Sequence, residues 1–473
     1  MNYELRIMNY KPLLLLLLLC SPFLWAQDAE RIRVACVGNS ITYGAFIDHR
    51  FQNCYPMYLQ QYMGNGYDVR NFGVSAHTML HRGDHPYVLS QEYRDMLQFN
   101  PQIVIVKLGT NDSKPHNWVH RRDFVPDMQA LVDTLLALPA HPQVYLCLPV
   151  PAKTDPYTIT DSVIRRGVIP AIRRVARSRR LPVIDLYQAM TPYFPDLFPD
   201  HCHPNAQGAA TLAGIIYQHL TGHPAPQAHD PQQPFPGRRS EWNGHDRYDF
   251  VLYGRDVTVV TPRQPAPGKP WIWRPAFFDA FPSVDKALVE QGFHIVYMDL
   301  THLYGSPRAV DLGNRFYEAM HHEFGLSQRV VVEGLSRGGY FAFNWAARNP
   351  DKVACLYVDA PVCDVTSWPG RGNELWDGFL REWGIQDAAP GAAFPGNALA
   401  LVDPLLAGNV PIIAVCGDAD QTVPYDRNFQ PFLQAYQSRG GIVMTILKPG
   451  CDHHPHSLEN PDPIVRFIQS YCR

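Results

Sequence analysis

The sequence predicts an α/β protein of two domains, because three observations agree. Its 473 residues exceed what a single hydrophobic core ordinarily organises. Apolar, strand-like segments alternate with longer helical segments over residues 28–222, and a second series of the same kind fills residues 241–473. Between the two series, residues 223–240 are rich in proline and show no apolar periodicity, which is typical of a linker.

The first series predicts a mostly parallel sheet with helices on both faces. Its strand-like segments are short and rich in β-branched residues: Arg31–Val37, Asp68–Phe72, Ile103–Leu108, Val144–Val150 and Leu181–Leu186. Its helical segments include Phe124–Leu138, Ser162–Arg177 and Ala206–His219. Near-continuous apolar strands that alternate with helices are expected where both faces of a parallel sheet are buried.

The second series opens with a predicted hairpin around Gly254, whose strands are Asp249–Tyr253 and Val257–Thr261. Five further strands follow: His294–Leu300, Arg329–Glu333, Val353–Val358, Pro411–Cys416 and Ile442–Leu447. The helices predicted among and after them are Asp311–Phe324, Gly339–Asn349 and Ile464–Cys472. An insertion rich in Trp, Gly and Pro interrupts them at residues 364–400. No repeat relates the two series, so the sequence predicts two different folds.

Residues 1–27 have the pattern of a signal peptide. Lys11 precedes an apolar run at residues 13–19, and small and polar residues follow as far as Gln27. The run is too short for a spanning helix. Cys20 raises lipoprotein processing as an alternative, but Leu19 before it is bulkier than such processing usually accepts. We therefore expect a secreted or periplasmic protein with no membrane span.

Composition narrows the classes of partner. The formal net charge of −3 gives no reason to expect nucleic acid or an anionic membrane. The cysteines include no Cys-x-x-Cys pair and no zinc-finger spacing. Cys36, Cys147 and Cys416 fall within apolar strand-like segments and are expected to be buried thiols. No cofactor is predicted.

Polar residues follow three strands of the first series at the point where each strand ends. Ser40 follows the first strand, Gly73 the second and Asn111 the third. Because ligand sites of open α/β sheets lie at the carboxyl ends of the strands, we expect the three to converge. An ester hydrolase needs a nucleophile, a base held by an acid, and donors for the oxyanion. We predict Ser40 as nucleophile, with its own N–H, the Gly73 N–H and the Asn111 amide as oxyanion donors.

The base and acid of this first site are predicted in a single turn. Asp200 and His203 are three residues apart, which lets Asp200 orient His203 toward Ser40, and His201 is the alternative base. The motifs around these residues resemble the SGNH subgroup of the GDSL-type hydrolases over the whole first domain. The resemblance implies a flavodoxin-like parallel sheet and favours His203 by its spacing from the acid. Asn39 departs from the family, which more often has Asp near the serine.

A second serine motif lies in the second domain. Gly334-Leu335-Ser336-Arg337-Gly338 stands between a predicted strand and a predicted helix, the context of a nucleophile elbow. Asp420 follows a later strand, and a cluster of histidines follows the last one, so the order is the Ser, Asp, His that this motif predicts. Asp420 is favoured as the acid, and Asp418 is read as a structural neighbour. This half resembles the α/β-hydrolase superfamily, in particular its esterase and prolyl-oligopeptidase-like branches.

The second base stays open among three histidines. His453 is favoured as the first after the turn, and His454 and His456 remain alternatives. A zinc site is not predicted, because no further carboxylate or cysteine set supports one. The Arg337 N–H and an N–H from Trp271–Phe278 are the expected oxyanion donors.

Within that segment Pro275 has no N–H, so Arg274 or a near neighbour is the predicted donor. The Arg337 side chain has two functional interpretations, contact with the oxyanion or with a substrate carboxylate. A surface arginine on the elbow helix is the competing interpretation. The glucuronoyl esterases look similar in placing Arg directly after the nucleophile, but their histidine context is absent here.

Two complete serine sets in one chain predict an exported, two-site serine esterase that resembles two-domain bacterial carbohydrate esterases. The expected reaction removes acetyl groups, with methyl esters as a second candidate, from plant-type polysaccharides or oligosaccharides such as pectin. Four tryptophans are candidate sugar-stacking faces: Trp118, Trp273, Trp368 and Trp376. The alternative is an SGNH acetylesterase fused to a peptidase-like or catalytically silent α/β-hydrolase module.

Overall fold

The protein folds as two α/β domains, each built on its own sheet. The computed structural model describes residues 31–153 and 157–472. The predicted signal peptide, residues 1–27 with Cys20, lies outside the described residues. The prediction of two α/β domains with different folds is confirmed.

The first domain has a five-stranded parallel sheet in the order β2-β1-β3-β4-β5. Its strands are β1 Ile32–Gly38, β2 Tyr67–Gly73, β3 Ile103–Lys107, β4 Gln143–Cys147 and β5 Val183–Ile184. This is the flavodoxin-like order, in which the sheet changes its direction of growth at β1 and leaves a crevice there. Gly38 pairs with Gly73 on one side and with Lys107 on the other, so three strands end level with one another.

Helices cover both faces of this sheet. They are α1 Ser40–Tyr43, α2 Arg50–Asn53, α3 Tyr55–Met63, α4 Gln91–Phe99, α5 Pro115–Trp118, α6 Phe124–Leu136, α7 Asp161–Val163, α8 Ile169–Arg179, α9 Leu186–Met190 and α10 Ala206–Thr221. Val34 and Cys36 of β1 pack in one buried cluster with α3 and α10, whereas Ala35 and Val37 pack in another with α6 and α8. Successive residues of a strand point to opposite faces, so both faces are buried.

The second domain has a nine-stranded sheet in the order β14-β13-β12-β11-β9-β10-β8-β7-β6. Its strands are β6 Arg238–Trp242, β7 His245–Leu252, β8 Arg255–Thr261, β9 Trp271–Arg274, β10 His294–Met298, β11 Val330–Leu335, β12 Val353–Asp359, β13 Ile412–Gly417 and β14 Val443–Lys448. Strands β9 to β14 run parallel to one another, and β6, β7 and β8 form an antiparallel extension.

Seven named helices belong to this domain: α11 Ser283–Val289, α12 Pro307–Glu318, α13 Arg337–Arg348, α14 Trp376–Trp383, α15 Val402–Ala407, α16 Phe429–Gln437 and α17 Asp462–Tyr471. The insertion at residues 364–400 contributes α14, whose Trp376 and Phe379 pack with Tyr304 in a small apolar cluster. Among the described residues, no helix has the length and apolar character needed to cross a bilayer.

The segment between the domains is packed rather than free. His229 stacks on Tyr58 with ring centroids 4.5 Å apart, and its ring nitrogens contact Gln61 Oε1 at 2.7 Å and Asn53 Oδ1 at 3.0 Å. Burial lowers the pKa of His229 to about 4. Phe235 is buried in the core of the second domain. The segment predicted as a linker therefore fixes one domain against the other.

Strand β6 begins at Arg238, inside the range predicted as linker. It lies at the edge of the sheet, where polar residues are favoured because one side of the strand faces solvent. An edge strand of this kind has no apolar pattern from which to predict it. All nine described cysteines are free thiols, and Cys36, Cys147 and Cys416 are buried.

Two candidate active sites

Ser40 stands at the carboxyl edge of the first sheet. It is the first residue of α1, two positions after β1 ends at Gly38. The Asn39 side chain caps this helix by accepting from the Ile41 N–H at 3.3 Å. Asn is among the best N-cap residues, so the departure at position 39 has a local structural role.

The three residues predicted as the first triad form one hydrogen-bonded line. His203 Nε2 lies 2.8 Å from Ser40 Oγ, and His203 Nδ1 lies 2.6 Å from Asp200 Oδ2. The other Asp200 oxygen accepts the backbone N–H groups of Cys202 at 2.9 Å and His203 at 2.6 Å. Burial raises the pKa of Asp200, but its hydrogen bonds to His203 and Cys202 outweigh that effect and leave the pKa lowered. A charged Asp200 suits an imidazolium partner.

His201, the alternative base, lies outside this line. Its backbone has φ 60, and its carbonyl accepts the Lys153 N–H at 2.8 Å. Its ring lies beside Phe194, with centroids 6.3 Å apart. The structure therefore brings His203, and not His201, to Ser40.

Of the three predicted oxyanion donors at the strand ends, Gly73 and Asn111 already have hydrogen-bond partners. The Gly73 N–H donates to Asn71 Oδ1 at 2.9 Å, and Asn111 Nδ2 donates to the His77 carbonyl at 3.1 Å. An amide nitrogen carries two hydrogens, so Asn111 keeps a second donor. A Cβ at Gly73 would lie 2.3 Å from the Tyr43 backbone nitrogen, so only glycine fits against α1 there.

Two aromatic side chains border the base of the first site and were not predicted. The Phe46 and Tyr157 rings meet the His203 ring edge to face, at centroid distances of 5.0 and 5.2 Å. Phe46 is 77% exposed, which is unusual for so large an apolar side chain. These rings offer a flat apolar surface beside Ser40. Both lie in loops, where no periodic pattern marks them.

Ser336 has the geometry of a nucleophile elbow. It stands between β11 and α13 with φ 50 and ψ −122, a strained conformation for a residue with a side chain. The crowding that accompanies this turn explains the glycines around it, because a Cβ at Gly334 would lie 2.5 Å from Gly339 Cα. The turn directs the serine out of the sheet at the carboxyl edge.

Asp420 and His453 complete a second hydrogen-bonded line. His453 Nε2 lies 3.0 Å from Ser336 Oγ, and His453 Nδ1 lies 2.7 Å from Asp420 Oδ2. Asp420 Oδ1 accepts the N–H groups of Thr422 and Val423 at 2.8 and 2.7 Å. These bonds hold the carboxylate in one orientation, so the base can keep one tautomer.

Asp418 has the structural role predicted for it as a neighbour. Its Oδ1 accepts the Gly450 N–H at 2.6 Å, which ties the loop after β13 to the loop after β14. The second of these loops carries the histidine cluster. Asp418 therefore supports the arrangement without reaching His453.

The other two histidines have different surroundings. His456 is buried and its Nδ1 lies 2.7 Å from Asp359 Oδ1, forming a His–Asp pair that the sequence did not reveal. Asp359 ends β12, and its carbonyl accepts the Ser336 N–H at 2.8 Å. His454 is exposed and stacks on Phe281, with centroids 5.5 Å apart. Only His453 reaches the serine.

Ligand atoms of His453, His454 and His456 lie within 4.8 Å of one another, close enough to be considered for a metal ion. Both ring nitrogens of His453 already have partners, Ser336 on one side and Asp420 on the other. A metal ion bound through His453 would displace one of them. The arrangement therefore suits proton transfer better than metal binding.

The Arg274 side chain points into the interior. It is 1% exposed, pairs with Asp285, lies 3.7 Å from Glu333 and donates to the Ala280 carbonyl at 2.8 Å. Burial lowers its pKa, but the two carboxylates outweigh burial and raise it. Its backbone ends β9, next to the loop predicted to supply an oxyanion donor. Within that loop Ala276 lies against the elbow, since a Cβ at Gly338 would be 3.4 Å from Ala276 Cβ.

Arg337 lies beside the nucleophile and between two aromatic rings. Its guanidinium carbon is 5.0 Å from the Phe277 ring centroid and 5.9 Å from that of Trp368, which the insertion supplies. Of the four tryptophans proposed for sugar stacking, Trp368 is the one that lies beside the Arg337 guanidinium. Trp273 is fully buried in the core, where it packs on Phe341, so a stacking role for it is wrong. Aromatic composition alone does not distinguish core from rim.

Trp376 and Trp118 also have packing roles. Trp376 is 7% exposed within the small apolar cluster that α14 of the insertion forms with Tyr304. Trp118 is half-buried against the core of the first domain and covers Gly167, where a Cβ would lie 2.3 Å from the indole.

Each half of the chain thus combines an α/β fold with a serine at the carboxyl edge of its sheet, which is the class of the serine hydrolases. Residues 36–211 match the GDSL-like lipase/acylhydrolase family, and residues 296–471 match the prolyl oligopeptidase family. The chain therefore contains a GDSL-like acylhydrolase domain followed by a prolyl-oligopeptidase-type α/β-hydrolase domain.

Individual relatives cover parts of the chain. An acetylxylan esterase from Xylanibacter ruminicola is 41% identical over 208 residues, which are 40% of this chain and 43% of that protein. The chain thus spans less than half the length of that curated relative. A carbohydrate acetylesterase from Sinorhizobium meliloti is 18% identical over 41% of this chain and 99% of its own, with a TM-score of 0.35. An acylaminoacyl peptidase from Pyrococcus horikoshii is 17% identical over 44% of this chain and 37% of its own, with a TM-score of 0.35.

Proposed function

We propose that this protein is an exported serine esterase with two active sites, which removes acetyl groups in particular from plant-type glycans. The observation that carries the proposal is the presence of two Ser-His-Asp lines in two different folds. In both, histidine Nε2 is within hydrogen-bond reach of the serine hydroxyl while a carboxylate holds Nδ1. Export rests on the pattern of residues 1–27.

The two sites would run the same chemistry. The serine Oγ attacks the ester carbonyl while histidine Nε2 takes its proton, and the collapsing tetrahedral intermediate expels the alcohol, which takes that proton from the imidazolium. Water then attacks the acyl-serine, with the imidazole as base, and releases the acid. Asp200 and Asp420 hold the tautomer in which Nε2 accepts, and stabilise the imidazolium that forms.

Acetylated glycans are supported as substrates by two observations. The acetylxylan esterase from Xylanibacter ruminicola shares 41% identity with part of this chain. At the first site, Phe46 and Tyr157 border His203 and present apolar ring faces of the kind on which sugar rings pack. Methyl esters of uronic acids are the second candidate, for the site of Ser336.

Fluorophosphonate labelling tests whether both serines are activated. A fluorophosphonate probe followed by peptide mass analysis should find adducts on Ser40 and on Ser336, and each adduct should disappear in the matching Ser→Ala variant. Labelling of Ser40 alone would support a silent second module and contradict the two-site proposal.

A peptidase-like second domain is the alternative that the prolyl oligopeptidase match favours. A Ser40→Ala variant isolates the second site, so its substrates can be compared directly. Turnover of acetylated xylo-oligosaccharides with little cleavage of a peptide library would support an esterase. The opposite preference would assign the Ser336 site to peptides.

A further inference from the structure

We infer that Arg337 forms a carboxylate-binding subsite, so that the Ser336 site takes esters of acidic glycans, in which a uronic acid lies beside the scissile ester. This inference rests on the proposed esterase function of that site. It adds the substrate class that the site would distinguish. The observations that carry it are the position, the packing and the pairing of one guanidinium.

The position places a positive charge beside the reacting atoms. Arg337 directly follows Ser336 and opens α13, so its side chain leaves the elbow next to the nucleophile. A helix N-terminus also favours negative charge, which adds to the attraction of the guanidinium. An anionic group bound here would lie close to the ester that Ser336 attacks.

Among the residues that the structure describes, no group accepts a hydrogen bond from the Arg337 guanidinium. Phe277 and Trp368 approach at 5.0 and 5.9 Å from their ring centroids, and contacts of this kind supply attraction but accept no N–H bond. A guanidinium has five N–H donors arranged in a planar fork, which matches the two oxygens of a carboxylate. The rings therefore hold the group in place without satisfying it.

Arg337 differs in its ion pairs from the fully buried Arg274. Arg274 contacts the carboxylates of Asp285 and Glu333. By contrast, no carboxylate of the described residues forms an ion pair with Arg337, although the side chain is half-buried. Burial lowers the pKa of Arg337, and the opposing electrostatic effects of Tyr304 and Asp299 do not offset it. A partly buried cation beside a nucleophile, with no ion-pair partner among the described residues, is the complement of an anionic substrate.

Carboxyl reduction of the substrate supplies a matched test. Acetylated xylo-oligosaccharides that carry a glucuronic acid branch are compared with the same oligosaccharides after reduction of that branch to glucose, so that the pair differs only at the carboxylate. The Ser40→Ala background restricts turnover to the second site. The measured quantity is the ratio of kcat/KM for the acidic substrate to kcat/KM for its reduced twin.

The parent protein is expected to prefer the acidic substrate, and Arg337→Gln should lower the ratio by about 10- to 100-fold, since hydrogen bonds to charged groups contribute about that much. Arg337→Lys should keep part of the preference, because it keeps the charge but loses the fork. Arg439→Gln is the control, since that arginine is exposed and pairs with Asp403. It should leave the ratio unchanged.

Two results would overturn the inference. One is a parent protein with no preference for the acidic substrate, and the other is an Arg337→Gln variant that retains the preference. Failure of the proposed function looks different, because neither oligosaccharide would then be cleaved, whether Ser336 resists fluorophosphonate labelling, as in a silent module, or is labelled, as in a peptidase. Labelling of the Arg337→Gln variant at Ser336 shows that the elbow is still folded.

Discussion

Lys107 is a buried charge whose removal should stabilise the first domain. It ends β3 beside the Ser40 site, is 0% exposed, and its Nζ has no hydrogen-bond partner among the described residues. Burial lowers its pKa from 10.5 to about 8. That difference in pKa corresponds to about 3 kcal/mol of lost stability at a pH where the lysine is protonated in both the unfolded and the folded protein.

Lys107→Met keeps an unbranched side chain that is only one atom shorter and removes the charge. The destabilisation by Lys107 is fully present below about pH 8, where the lysine is protonated in both the folded and the unfolded chain. It disappears as the pH rises from 8 toward 10.5, because the unfolded chain then also loses the proton that the folded chain has already lost. The variant should therefore gain up to about 3 kcal/mol in the free energy of unfolding at pH 7, and progressively less above pH 8.

The assay is urea unfolding of the first domain at pH 7 and pH 10. Unfolding is monitored through the loss of Ser40-site activity in a Ser336→Ala background. Lys153→Met is the control, because Lys153 is an exposed lysine of the same domain. A variant without added stability at pH 7, or with a gain that stays constant up to pH 10, would show that the buried charge of Lys107 does not destabilise the first domain.

Three further variants test the local geometry. Asp420→Asn should lower kcat at the Ser336 site by about 10³- to 10⁴-fold, because His453 loses the productive tautomer. First-site turnover in the same chain is the control, and an equal loss at both sites would contradict this role of Asp420. Gly339→Ala would place a Cβ 2.5 Å from Pro361 Cβ, so we expect the variant to lose second-site activity and about 1–3 kcal/mol in the free energy of unfolding. An unchanged melting curve and an unchanged second-site rate would show that the elbow tolerates the methyl group. Phe46→Ala should raise KM for acetylated xylan at the first site while sparing 4-nitrophenyl acetate; equal effects on both would exclude a glycan-binding role.

Much of the fold was predictable because its signals are local. The strands that end at Gly73 and just before Ser40 and Ser336 are short apolar segments flanked by turn residues, and parallel strands bring their carboxyl ends together. The same logic anticipated the position of Asp420, which follows a later strand, whereas Asp200 was predicted from its spacing of three residues from His203. The structure brings each predicted serine, acid and histidine within hydrogen-bond distance.

What the sequence did not reveal depends on contacts between distant residues. The pair of Asp359 and His456 joins residues from two strand ends far apart in the chain, and no spacing rule links them. Arg274 was considered for its N–H, whereas its side chain serves a buried ion network with Asp285 and Glu333. Such pairs are decided by tertiary packing, which a pattern of single residues does not encode.

Acetate release from acetylated xylan, measured for the parent, Ser40→Ala, Ser336→Ala and the double variant, decides whether the protein has two independent esterase sites. If both sites act, each single variant should retain part of the activity, the two should leave different acetylated products, and the double variant should be inactive. If either single variant kept the full activity of the parent on every ester, or abolished all of it, the claim of two independent esterase sites would be contradicted.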